Sequence, residues 1–278
     1  MKSKSFFALI IVVLLAMPMP GYGDQGQDLV EQKGKGSINW SAGIVQATGI
    51  GAPPENVYGK PSARPMALRA ATLDAYRNIL EVVNGVRIDS TTVVKDYAVE
   101  SDVIMSKVEG MVHGAEIVKK EYLSDGTVEI TMQMNLRGGF SQIILPEEIK
   151  PLESIQPVVP VQSSSAVFTG MVVDARGLKA RPAMSPKILD ESGQEVYGSA
   201  FVSREFAVQQ GMSGYAKDLA GALKNERVTD KPLTVKGLKT EGPGQSDIVI
   251  SNADASRLRS ASENLSFMKK CRVMIVVD

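Results

Sequence analysis

Ser266 and Lys269, in "SFMK", stand three residues apart. At that spacing a serine hydroxyl can pass its proton to an amine and attack a carbonyl, as in penicillin-recognising enzymes. Such chemistry needs the serine at the start of a helix and separate Ser-Asp-Asn and Lys-Thr-Gly elements; neither tripeptide occurs, and the tetrapeptide leads into the final apolar segment. The match reads as coincidence. His113 is the single histidine, so no multi-histidine metal site can be built, and any Ser-His or Cys-His pair would depend on this one residue. It precedes Gly114 at an expected helix end, where a polar or cationic side chain is favoured without any catalytic role.

The remaining candidates have equally plain explanations. Cys271, the single cysteine, reads as a small buried apolar side chain. "TGIGAPP" supplies Gly49 and Gly51 but does not continue as a dinucleotide fingerprint, and Pro53 and Pro54 block the helix that should follow; a flexible turn is expected. Glu147-Glu148 and Asp190-Glu191 are consecutive acids, which do not face one another on an element and read as solvated charge. Arg176, Lys179 and Arg181 in "DARGLKARP" read as an ordinary loop. The sequence therefore nominates no catalytic, cofactor-binding or metal-binding residue, and the expectation is a protein that is not an enzyme and takes no cofactor.

These residues must be carried by elements, and the longest is "SARPMALRAATLDAYRNILEVVNGVRI". Ala63, Ala67, Ala71 and Ala75 recur every four residues and continue into Ile79 and Val82 or Val83, which predicts a helix with a thin buried edge lying close to a sheet. Pro65 suits its first turn, Asn84-Gly85 suits a left-handed stop, Met66, Leu73 and Leu80 are expected to fill the flank, and Arg64, Arg69, Arg77 and Glu81 to stay in water. Upstream, "GSINWSAGIVQATGIG" reads as a strand with Ile38, Trp40 and Ala42 on one face. Downstream, "SDVIMSKVEGMVHG" predicts a shorter helix with a stripe of Ile104, Val108 and Met111, capped by Ser101. "AEIVKKEYL" and "TVEITMQMNL" then form a hairpin about Asp125-Gly126, the second strand alternating Val128, Ile130, Met132, Met134 and Leu136 with polar residues.

The fold class that follows is α+β, in two small mixed domains, the first with helices packed on an antiparallel sheet. Proline and serine enrichment in "PEEIKPLESIQPVVPVQSSS" marks a linker over 146–165, dividing a first domain at 24–145 from a second at 166–278. In the second, "AVFTGMVVDARG", "PLTVKGL", "SDIVIS" and "CRVMIVV" read as strands and "PKILDESGQEVYG" as a strand pair about Ser192-Gly193. "SGYAKDLAGALKNERV" shows helical spacing through Tyr215 or Ala216, Leu219 and Leu223; "NADASRLRSASENL" suggests a helix capped by Ser251 or Asn252, with Leu258, Ala261 and Leu265 inside.

The first residues carry Lys2 and Lys4, an apolar run from Phe6 to Met17 and a Pro/Gly-rich end, the pattern of a secretory signal peptide over 1–23. The run is shorter than the roughly 20 residues of a bilayer span. Cleavage would leave no stable membrane span, and losing Lys2 and Lys4 from a chain with 31 basic and 31 acidic residues leaves it two units negative. No global field draws in nucleic acid. With one cysteine an exported chain has no internal disulfide, so packing alone must hold it.

The segment "ARPMALRAATLDAYRNILEVVNGVRI" with the short helix and hairpin after it resembles the bacterial Lpp-twenty-like surface-lipoprotein family, and the N-terminal module of flagellar assembly protein T, over Ile38 to Leu136. The resemblance implies an extracytoplasmic protein with a structural or assembly role, its partners other envelope proteins such as flagellar basal body components, with oligomerisation open. The chain departs from the lipoproteins in having no cysteine after the apolar run, so lipid anchoring does not carry over. A periplasmic binding module for a small ligand, glycan or peptidoglycan is the competing expectation.

Overall fold

The computed structural model describes residues 28–147, 149, 167–260 and 264–278. The signal peptide at 1–23 and nearly all of the linker expected at 146–165 lie outside the described residues; of the linker only Pro146, Glu147 and Ile149 are described. The chain forms two mixed α/β regions, and in the first, helices pack on an antiparallel sheet.

That sheet contains β1 (Val30–Lys33), β2 (Gly36–Asn39), β3 (Ile44–Gly51), β4 (Glu116–Tyr122) and β5 (Val128–Asn135), in the order β1-β2-β3-β5-β4. The single strand expected over 36–51 is instead two strands folded back at residues 40–43, with Gly43 at φ +72 supplying the left-handed turn. Ile38 and Trp40 are buried as expected.

The long helix α1 (Ala63–Asn84) buries Ala67, Ala71, Ala75, Ile79, Val82 and Val83. What it lies against is β3, and Gly49 and Gly51 are the reason it can. They form no flexible turn: both sit in β3, and a Cβ on Gly49 would fall 2.1 Å from the Ala75 nitrogen, one on Gly51 2.2 Å from the Ala67 oxygen. Glycine in the strand and alanine in the helix together bring the two backbones into contact. Their strand partners are large. Gly51 pairs with Val128, Gly49 with Ile130 and Ala47 with Met132, so β5 supplies the bulk that β3 omits.

Two details of α1 differ from expectation. Met66 and Leu73 are exposed, because they project from the side opposite the alanine edge; Leu68, Tyr76 and Leu80 fill the flanks. Gly85 has φ −97 and makes no left-handed stop. Its carbonyl accepts a 2.8 Å bond from Lys33 Nζ, and a Cβ there would collide with the Lys33 side chain, so glycine admits a cation to the negative end of the helix. Two further helices follow, α2 (Val94–Val99) and α3 (Asp102–His113), and α4 (Gly139–Ile144) comes after the hairpin. Ser101 is the residue before α3, without a side-chain cap bond.

The second region is built on seven strands: β6 (Gly170–Asp174), β7 (Ile188–Leu189), β8 (Glu195–Tyr197), β9 (Gly214–Ala216), β10 (Pro232–Glu241), β11 (Asp247–Ile250) and β12 (Val273–Val276). Their order is β8-β7-β11-β10-β6-β12-β9, with β6, β10 and β12 parallel neighbours and β10/β11 antiparallel. The helices are α5 (Arg204–Gln210), α6 (Leu219–Leu223), α7 (Asn252–Arg259) and α8 (Asn264–Lys269). Tyr215, expected at the head of a helix, is in β9, and only Leu219–Leu223 of that segment is helical. Ser251 caps α7 through Asp254 N, as expected.

Central strands are covered on both faces, which explains their unbroken apolar sequence. Met171 and Val173 of β6 and Val273 and Ile275 of β12 join the large core; Val172, Met274 and Val276 face the other way, beneath α6. That large core is continuous from Val128 and Phe140 of the first region to Ile188 and Tyr197 of the second. No helix among the described residues is long and apolar enough to cross a membrane.

Candidate functional site

The most elaborate polar arrangement lies on the seam between the two sheets. Arg87, just past the end of α1, is buried. Its Nη1 and Nη2 donate to the two carboxylate oxygens of Glu31 on β1, and its Nε donates to the Pro182 carbonyl of the second region at 2.7 Å. Trp40 Nε1 donates to the same carboxylate at 2.9 Å, and the Arg87 guanidinium stands 5.6 Å from the Trp40 ring centre. Burial by itself would raise the Glu31 pKa, but the hydrogen bonds of Arg87 and Trp40 and the charges of Arg87 and Arg181 outweigh it and hold the carboxyl below its ordinary value.

Trp40 meets Tyr215 of β9 edge to face, with centroids 5.9 Å apart. Tyr215 Oη donates to the Ala183 carbonyl and accepts from the Ala183 nitrogen, and burial raises its pKa. The backbone closes the same joint, with Met184 N donating to Arg87 O and Ser185 N to Ile88 O. Farther along, Ser90 Oγ donates to Asp247 Oδ2 at 2.6 Å, and Gly244 N donates to Ser90 O. Asp247 also accepts from Lys187 N; burial nevertheless pushes its carboxyl above the ordinary value.

At the other end of the seam is a cleft of about 450 Å³ lined by Ser41, Arg137, Gln210, Tyr215, Arg227 and Met274, among others. Arg137, following β5, donates to the Ser41 carbonyl at 3.1 Å. Gly43 gives it room: a Cβ there would lie 2.8 Å from Arg137 Nε. Arg227 donates through Nη1 to the carbonyls of Gly211 and Cys271 and through Nη2 to that of Gln210. Burial depresses the pKa of both guanidinium groups, and the charge of Arg137 adds to the depression at Arg227. Neither arginine forms an ion pair with a carboxylate among the described residues.

The region that supplies Tyr215 and Arg227 has a recognisable counterpart. Residues 170–278 match the family model for the second domain of Treponema pallidum Tp0624. The matched segment opens at the first residue of β6 and takes in every strand of the seven-stranded sheet. No curated protein matches the chain.

The residues weighed from sequence lie apart from this seam or serve its structure. His113 is exposed at the end of α3, its ring 5.2 Å from that of Tyr76, which donates to the His113 carbonyl. Ser266 lies exposed within α8, whose Phe267 and Met268 are buried. Cys271 is a free, buried thiol, pushed up to about 12 mainly by burial. Among the described residues no three His, Cys, Asp or Glu side chains are placed to hold a metal ion.

One reading is corrected. Asp190 is not solvated charge: it is 3% exposed and accepts from Ser192, Gln194 N and Arg259, which hold its carboxyl far below the usual range. The "DARGLKARP" segment is a loop beyond Asp174, as expected, in which Arg176 pairs with Asp174 at 2.7 Å and Arg181 reaches Glu31 at 3.8 Å. Arg87, Arg137 and Arg227, which organise the seam, carried no sequence signal, because each acts on groups remote in the chain.

Proposed function

We propose that this chain is an exported, non-enzymatic protein of the bacterial envelope with a structural or assembly role, presenting rigid faces to other envelope proteins. The seam carries the reading. Its buried arginine and the carboxylates bonded across it hold two sheets in one orientation, and a satisfied interior polar network rigidifies the body that carries it. The likeness of the first region to Lpp-twenty-like proteins and to flagellar assembly protein T supports a periplasmic setting, with basal body components as the narrower choice of partner. Gentle extraction followed by affinity capture of the full chain from the periplasm tests it. Recovery in a large envelope complex is expected; a monomer in the periplasmic extract, with envelope and motility unchanged on deletion, removes the proposal.

A second reading is favoured by one observation, the cleft whose two arginines have no carboxylate partner among the described residues. It makes the protein a periplasmic binding module for a small ligand, glycan or peptidoglycan strand. Sedimentation with purified cell wall tests the glycan or peptidoglycan form of this reading, because a scaffold that acts only on proteins stays in the supernatant.

A further inference from the structure

We infer that the seam cleft is an anion site, in which Arg137 and Arg227 receive the carboxylate or phosphate group of a small organic molecule. The inference deepens the binding reading and rests on it.

The charge balance of the cleft is the first ground. Elsewhere on the seam the buried arginine is matched: Arg87 by Glu31. Arg137 and Arg227 are half-buried in one cleft, yet among the described residues their guanidinium groups donate to carbonyl oxygens alone. Carbonyls satisfy N–H groups but leave the net charge in place, and two like charges in a partly desolvated site raise each other's energy. Glu226 lines the cleft but is exposed and pairs with neither guanidinium, so the site keeps a net positive charge. An oxyanion is the ligand class that relieves it.

The donors are also differently placed. Arg227 is fixed by three carbonyls and acts as a positioned charge. Arg137 uses Nη2 toward Ser41 and has donors left for a fork-shaped contact with two oxygens. Tyr215 and Met274 offer apolar wall to the rest of the ligand, and a volume of about 450 Å³ suits a molecule of metabolite size.

Calorimetric titration of the full mature chain with inorganic phosphate and, separately, with succinate tests the site, using sodium chloride at matched ionic strength as the blank. Saturable binding of at least one anion is expected, weakened roughly tenfold or more in Arg137→Gln, since a charge-assisted hydrogen bond is of that size. Asn225→Asp provides a second arm: it retains the acceptor that Arg227 N uses and places a negative charge in the cleft, so it should also weaken binding. Preference for phosphate assigns a phosphoryl ligand and preference for succinate a carboxylate. Absence of saturable binding of both anions, or undiminished binding by a folded Arg137→Gln protein, overturns the inference. Cell-wall sedimentation leaves this outcome untouched, so the cleft and the broader binding reading can fail separately.

Discussion

Arg87 and Glu31 are 56 positions apart in the chain, and the guanidinium of one embraces both carboxylate oxygens of the other while its Nε crosses to the second region. The pair thereby ties the end of α1 to β1 and both to the loop at Pro182. Because Arg87 is buried, removing its counter-charge leaves a cation with nowhere to be solvated.

Glu31→Gln is therefore expected to cost about 3 kcal/mol at neutral pH, the scale of breaking a largely buried pair. The sign of its pH dependence follows from the lowered folded pKa of Glu31. Its contribution is fully present above the unfolded carboxylate value and is lost as pH falls through the folded one. Urea unfolding of both proteins from neutral pH downward should show the difference shrinking in acid. A constant difference would mean that the pair's charge is irrelevant.

The Gly49 and Gly51 approach gives a steric prediction with an internal control. Gly49→Ala places a Cβ against the α1 backbone, which cannot retreat without uncovering Ile130, and should cost about 3 kcal/mol or more, the upper end for overpacking. Gly110, exposed within α3 with nothing within 4 Å of a Cβ, should gain about 0.5–1 kcal/mol as alanine. Thermal unfolding of the two variants should move in opposite directions.

Much of the first region was legible because its elements are long enough to show a period. The alanine edge of α1 and the alternation of β5 each run through several repeats. Gly49 and Gly51 were misread because a glycine in a strand signals close approach only once the opposing helix is known. The elements that were missed or shifted, such as α2, α4, α5 and β9, are too short for any period to emerge. The seam was illegible for another reason: Glu31, Arg87 and Pro182, or Ser90 and Asp247, are scattered positions whose partnership exists only after both sheets have formed.

Ser90→Ala tests the other end of that seam. It removes the donor to Asp247 Oδ2, so the buried carboxylate loses a partner and the protein should lose about 1–3 kcal/mol at neutral pH. Asp247 runs opposite to Glu31: with a raised folded pKa, its stabilising contribution is present below the unfolded value and is lost as pH rises through the folded one. Loss of the Ser90 hydroxyl should raise that pKa further, which carboxyl carbon NMR titration of Asp247 would register. An unchanged titration in the variant would show that Ser90 does not support the charge.

Cys271 offers a probe of how the whole body opens. Its thiol is buried between Tyr197 and Arg227, and its pKa near 12 leaves almost no thiolate at pH 8. Reaction with a disulfide reagent requires both access and the thiolate, so the native thiol should be protected and become reactive only on opening. The residue precedes β12, a central strand between β6 and β9, and its carbonyl is held by Arg227. Opening there must break the seven-stranded sheet as well as the core it shares with α1 and β5, which makes Cys271 labelling a measure of global unfolding. The labelling rate under native conditions should thus follow the unfolding equilibrium, and it should accelerate in Glu31→Gln even though Glu31 is in the other sheet. Labelling at the same rate in both proteins would show that the two sheets open independently and that the seam does not couple them.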